Sequence, residues 1–141
     1  MRRNLVEQNR MTDQQANRLV DRMNAYFQDS RVTVASGDVD RMRNHPKDRH
    51  VLAAAVECGA QIIVTFNLKH FRREALDRYK IKSRSPDGFL LSLLTLDSDR
   101  MLSILEEQIG DLHKPKVTIE TVLENLVTQV PAFVAAVRKA L

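Results

Sequence analysis

The apolar positions of this chain repeat with a helical period in its first third. They run together in the middle, then return to a helical period to the end. Residues 1–9 read as a helix already in progress, because no capping residue precedes Leu5 and Val6. Thr12 and Gln15 form a capping-box pattern, and Ala16, Leu19, Val20, Met23 and Phe27 follow at helical spacing, so a helix is expected to about Phe27. Arg31–Val34 is a short strand candidate, and residues 37–47 read as a polar loop with a helical turn. From Asp48 to Cys58 the chain is apolar on most faces, which predicts a helix packed on more than one side and stopped at Gly59. Gln61–Phe66 is a β-branched run of the kind that forms a buried parallel strand. A loop over residues 67–71, a short helix from Glu74 to Tyr79 and a last strand at Ile81–Ser83 follow. Pro86 opens a helix whose apolar face carries Phe89, Leu90, Leu93 and Leu94. Helices are then expected over Ser98–Leu112, over Thr118–Val127 and after Pro131. Mixed helices and strands followed by helices alone predict an α/β layer fold with a helical C-terminal extension.

Composition narrows the class. The chain has 141 residues, 43% apolar and 28% charged, an ordinary balance for one globular domain. Its longest apolar stretch, Phe89–Leu96, is far short of the roughly 20 residues a membrane span requires. The basic N-terminus has no apolar segment behind it, so no secretory signal is read. The single cysteine, Cys58, cannot form an internal disulfide, and an inert core thiol in a reducing, cytoplasmic compartment is expected. Net charge is +4, divided unevenly: residues 1–84 carry +7 and residues 85–141 carry −3. The positive portion suits a phosphate backbone, although an ordinary basic surface explains the same numbers.

Geometry singles out three polar residues. A helix of eleven residues from Asp48 is about 16 Å long, and a six-residue strand from Gln61 is about 20 Å long. A tight turn at Gly59 folds one back along the other, so Asp48, Thr65 and Asn67 fall near the carboxyl end of the strand, where open α/β sheets bind ligands. A carboxylate, a hydroxyl and an amide oxygen are hard ligands of the kind Mg²⁺ or Mn²⁺ accepts. Taken singly, Asp48 is an ordinary N-cap and Asn67 an ordinary turn residue.

Three strings then carry a resemblance: Asn44-His45-Pro46-Lys47-Asp48-Arg49-His50-Val51-Leu52-Ala53-Ala54-Ala55, Ile63-Val64-Thr65-Phe66-Asn67-Leu68-Lys69-His70-Phe71, and Pro86-Asp87-Gly88-Phe89-Leu90. Together they resemble the branch of the PIN-domain family that includes toxin nucleases of toxin–antitoxin systems, and the resemblance extends over the whole chain. It implies a PIN-like three-layer α/β/α fold with a parallel sheet. It implies a metal-dependent endoribonuclease in which Mg²⁺ or Mn²⁺ activates a water against an RNA phosphodiester. Asp48 matches the family's third acid. Asn67, two residues after Thr65, matches the fourth, with an oxygen but no charge. An antitoxin protein and a second copy of the chain are the implied partners.

The resemblance also implies that the first two acids of the family precede Met1. Glu7 lies about two helical turns, or about 10 Å, from where the second would fall. The expectation is therefore a domain over residues 1–96 that is N-terminally truncated, with a helical extension over residues 97–141 packed on it. Low or absent activity follows, whether from a mis-assigned start, a degenerate relative, or a strand supplied by another chain. A non-catalytic module that binds RNA or a protein is the alternative. The basic set Arg41, Arg43, Lys47, Arg49, Lys69, Arg72 and Arg73 brackets Asp48 and Asn67 and is a candidate seat for RNA phosphates. His45, His50 and His70 flank the same region. Their spacing matches no usual zinc pattern, and His50 reads as a core histidine.

Overall fold

The computed structural model describes residues 12–111 and 117–141. The helix expected over residues 1–9, Glu7 within it, and the expected helix end at Leu112 lie outside the described residues. The chain forms two compact units, residues 1–35 and residues 36–141.

In the first unit, α1 spans Asp13–Tyr26. The capping box is formed as the sequence predicts. The Gln15 N–H donates to Thr12 Oγ1 at 3.3 Å, and the Thr12 N–H donates to Gln15 Oε1 at 2.9 Å. Two of the four donors that a helix start leaves unpaired are thereby satisfied. The strand expected at Arg31–Val34 does not form, and residues 31–35 carry no regular structure. β-branched residues favour extended backbone, but a strand exists only where a neighbour completes its hydrogen bonds, and the sheet among the described residues holds two other strands.

The second unit begins with α2 at Ser36–Arg41, a 3-10 turn at Pro46–Asp48 and α3 at Arg49–Glu57. α3 buries Leu52, Ala53 and Ala55, while His50, Val51 and Glu57 face outward. The expectation of a helix packed on more than one side is corrected for the described residues. At 100° per residue, His50 and Glu57 stand seven apart on one stripe, so both leave the buried face together. His50 is therefore not a core histidine, and Cys58, at the exposed helix end, is not a core thiol. Gly59 turns the chain with φ +66°, a conformation a side chain disfavours, and the Ala60 N–H returns to the Ala55 carbonyl at 2.8 Å.

Strand β1 follows at Ile62–Val64, then a 3-10 turn at Leu68–His70, α4 at Arg73–Leu76, a 3-10 turn at Asp77–Tyr79, and β2 at Lys82–Arg84. The two strands are parallel, with Ile63 opposite Ser83, and the ladder is extended by Lys82 N–H to Gln61 O and by Thr65 N–H to Arg84 O, each 2.9 Å. Only Ile63 of β1 is buried. Ile62, Val64 and Phe66 on the other face are 38%, 42% and 66% exposed, so the strand is covered on one side rather than two among the described residues. The architecture is mixed α/β, mostly helical, with a small parallel sheet.

Four helices complete the unit: α5 at Pro86–Leu96, α6 at Ser98–Asp111, α7 at Ile119–Leu126 and α8 at Pro131–Ala140. Leu94, Met101, Leu105, Leu123, Val130, Phe133, Val134 and Val137 form their common core. Each fully buried side chain of this kind contributes about 1.5–3 kcal/mol through removal from water. Ser85, Asp97 and Thr118 cap α5, α6 and α7 by accepting backbone N–H groups of Gly88, Arg100 and Thr121. No helix among the described residues is long and apolar enough to cross a membrane.

Candidate functional site

The turn at Gly59 does what the lengths of α3 and β1 predict: it returns the chain so that residues around Asp48 meet the loop after β1. Asp48 occupies the N-cap position of α3 but caps nothing with its side chain. Its Oδ2 lies 2.6 Å from His70 Nδ1 instead. The Asn67 side-chain amide, from the same 3-10 turn as His70, lies 2.7 Å from that nitrogen. The Asn67 backbone N–H donates to Thr65 Oγ1 at 3.0 Å, which ties the end of β1 to the turn. His70 thus joins two residues separated by nineteen positions in the chain.

Chemistry fixes the sense of these bonds. An ionised carboxylate only accepts, so Nδ1 carries the proton and donates to Asp48. One ring nitrogen cannot also accept from the Asn67 amide. A half-turn of that amide, which exchanges its two nearly indistinguishable ends, brings its oxygen to the nitrogen. Both side chains then present oxygen toward one point.

The surroundings hold this arrangement in place. The His45 ring stacks on His70 with centroids 3.7 Å apart and planes within 4°. The His45 N–H donates to the His70 carbonyl at 3.3 Å, and His45 Nδ1 accepts the Lys47 N–H at 3.3 Å. Asn44 is buried, and its Nδ2 donates to the Asp48 carbonyl at 3.0 Å while its Oδ1 has no partner. One donor atom from each of His45, Asp48 and His70 falls within 4.8 Å of the others, a grouping that could hold a metal ion. Parallel rings do not aim their in-plane lone pairs at one point, so His45 and His70 do not serve the same ion in this arrangement.

The basic residues divide. Arg43, Lys69 and Arg72 line an open cleft of about 480 Å³ together with Asn44, His45 and His70. Arg43 also borders a second cleft with Arg41, Arg49 and Arg78, where Asp38, Asp40 and Glu57 offset part of the positive charge. Arg41 is paired with Asp38 at 3.3 Å and Arg73 with Asp77 at 3.2 Å. Lys47 is exposed beside His45. Sequence reasoning placed Asp48, Thr65 and Asn67 in one neighbourhood and had His45 and His70 flanking it without a zinc-type spacing, but it gave neither histidine a bond to Asp48 or Asn67 and did not single out Asn44. Their signal was weak. His70 follows Asn67 by three residues, one turn of a 3-10 helix, which is visible only once that turn is known.

Residues 86–139 match the family model described as the VapC50 C-terminal domain. A Mycobacterium tuberculosis (strain ATCC 25618 / H37Rv) protein named "Putative ribonuclease VapC50" is 45% identical over 98 residues, 70% of this chain and 58% of that protein. The chain belongs to the VapC/PIN family. A continuous stretch of 98 residues in a chain of 141 necessarily contains residues 44–98. The match to that relative therefore spans Asp48, Asn67 and His70, and the family model spans the helical core. The chain spans 58% of the length of that curated relative. No solved structure matches.

Proposed function

We propose that this protein is a metal-dependent endoribonuclease of the VapC toxin type. The observation that carries the reading is the convergence of Asp48 and Asn67 on one point, beside a cleft lined by Arg43, Lys69 and Arg72. An oxygen-bearing pair at the carboxyl end of a parallel strand fits a divalent ion that completes its shell with water and substrate phosphate. Mg²⁺ or Mn²⁺ there would supply an activated water and offset charge on the phosphate. Asp48 and Asn67 would hold it. Thr65, through the Asn67 backbone, sets the turn that carries Asn67. Arg43, Lys69 and Arg72 would position RNA phosphates, with Arg41, Lys47, Arg49 and Arg73 in outlying contact. Asp48 is the one carboxylate in the His45, Asp48 and His70 grouping among the described residues, so a low cleavage rate is expected.

The family relationship supports a full three-layer α/β/α arrangement, an antitoxin protein as partner, a cytoplasmic location and association with a second copy. The exposed row Ile62, Val64 and Phe66 is apolar surface that such an association would cover. A second reading, a non-catalytic module, rests on the single carboxylate. The test incubates the purified chain with labelled RNA in Mn²⁺ or Mg²⁺, and again with excess chelator, while RNA retention on a filter is followed in parallel. Cleavage that the chelator abolishes is the expected result. Retention without cleavage in either ion would favour the non-catalytic module, and cleavage indifferent to the chelator would refute the metal route.

A further inference from the structure

His70 stands between the two residues proposed to hold the ion. Its Nδ1 is 2.6 Å from Asp48 Oδ2 and 2.7 Å from the Asn67 amide. An ion that accepts Asp48 and Asn67 together must share its position with this nitrogen or expel the ring. Expulsion is opposed from three directions. The ring is largely buried, with 16% of its side-chain surface exposed. His45 covers its face at 3.7 Å. Its backbone is held by the Asn67 carbonyl at the N–H and by the His45 N–H at the carbonyl. Sharing requires that the Nδ1 hydrogen be released to solvent as the ion enters, since a ligating imidazole nitrogen must be unprotonated. The ring then keeps its other hydrogen on Nε2, and the two donors now 2.6 Å apart open to the spacing of about 3 Å between neighbouring ligands of one ion.

A second observation marks the same place. Asn44 is 6% exposed, its Oδ1 has no hydrogen-bond partner, and it lines the cleft beside both histidines. Exchanging its two ends would set oxygen against the Asp48 carbonyl, so the unpaired oxygen is a consequence of the fold. A buried oxygen without a partner costs free energy that a ligand's water or donor would recover.

We infer that His70 is itself a ligand of this ion through Nδ1, making the seat a mixed nitrogen and oxygen set that selects a first-row transition-metal dication such as Mn²⁺ over Mg²⁺. The inference rests on the proposed metal site and names its ion class. Carboxylate and amide oxygens alone suit Mg²⁺, whereas imidazole brings affinity for the transition series and little for Mg²⁺. His45 is a positioning residue. Its Nδ1 already accepts the Lys47 N–H, and its plane is parallel to that of His70.

The test uses the full chain and Mn²⁺ alone, with the free aqueous ion followed by its paramagnetic resonance signal and Mg²⁺ added as competitor. The expected result is that Mn²⁺ binds and that at least about a tenfold excess of Mg²⁺ is needed to displace it. His70→Gln, checked for unchanged helical circular dichroism, is expected to lose that preference by about tenfold or more. His45→Phe, which retains a stacking ring without a nitrogen, is expected to keep it. Wild-type Mn²⁺ affinity in both His70→Gln and His70→Ala, or displacement by Mg²⁺ at equal concentration, would overturn the inference while leaving the metal site standing. Failure of Mn²⁺ to bind the unmodified chain would overturn the proposed metal site itself, and this inference with it.

Discussion

Asp87 caps a helix to which it does not belong. It lies in the first turn of α5, yet its carboxylate accepts the backbone N–H groups of Ala132 and Phe133 at 3.2 and 2.8 Å, at the start of α8. Val130, the N-cap of α8, offers no side-chain oxygen, and Pro131 lacks an N–H, so these two donors have no local acceptor. Replacing Asp87 with Ala should lower unfolding free energy by about 1–2 kcal/mol, the usual cost of losing a cap. A urea midpoint that falls without a change in slope would show it, and an unchanged midpoint would refute it. Sequence reading had no access to this bond, because its partners are forty-five and forty-six residues away. Asp48 makes the complementary case. Its position at a helix start was legible, but the carboxylate reaches past the helix to His70. Local pattern gives the position of a polar residue, and tertiary contact decides which way it bonds.

Whole elements were more legible than their ends. α1, α3, α5, α6, α7 and α8 lie where apolar spacing and capping residues put them; β1 falls within its predicted run, and β2, at Lys82–Arg84, is shifted one residue beyond the expected Ile81–Ser83. The strand expected at Arg31–Val34 failed because β propensity in four residues cannot supply a neighbour. The expected burial of α3 failed because small residues on every face resemble a buried helix, although only Leu52, Ala53 and Ala55 meet the core. Gly59→Ala forces a side chain to φ +66° in open space, so the cost is that of the left-handed backbone, about 1 kcal/mol, with no clash against the rest of the fold. Phe133→Ala, at a side chain fully enclosed by α5–α8, removes a large apolar volume and should cost about 3–5 kcal/mol. Thermal or urea unfolding checks both, and equal effects at the two sites would contradict the assignment of Phe133 to the core.

Along the whole chain, the positive charge and the site precede the helical core in sequence. The +7 carried by residues 1–84 includes Arg43, Lys69 and Arg72 beside His70, whereas residues 85–141 carry −3. If RNA meets the chain at this cleft, replacing those three residues with Ala should weaken binding at low salt and reduce the slope of log affinity against log salt by about 2. A slope unchanged by the triple substitution would move the RNA to another face. The uneven charge was readable from the sequence. The sorting of the seven basic candidates was not: five line two clefts, Arg43 bordering both, while Lys47 and Arg73 line neither, and this depends on how α2, α3 and the turn at Leu68–His70 assemble. Asp48 is the residue on which the proposed cleavage depends most, and the most direct test compares RNA cleavage by the wild-type chain and by Asp48→Ala at saturating Mn²⁺. A loss of at least about a hundredfold in rate, with folding and RNA binding retained, is the predicted result. Equal rates in the two proteins would show that the cut is made elsewhere.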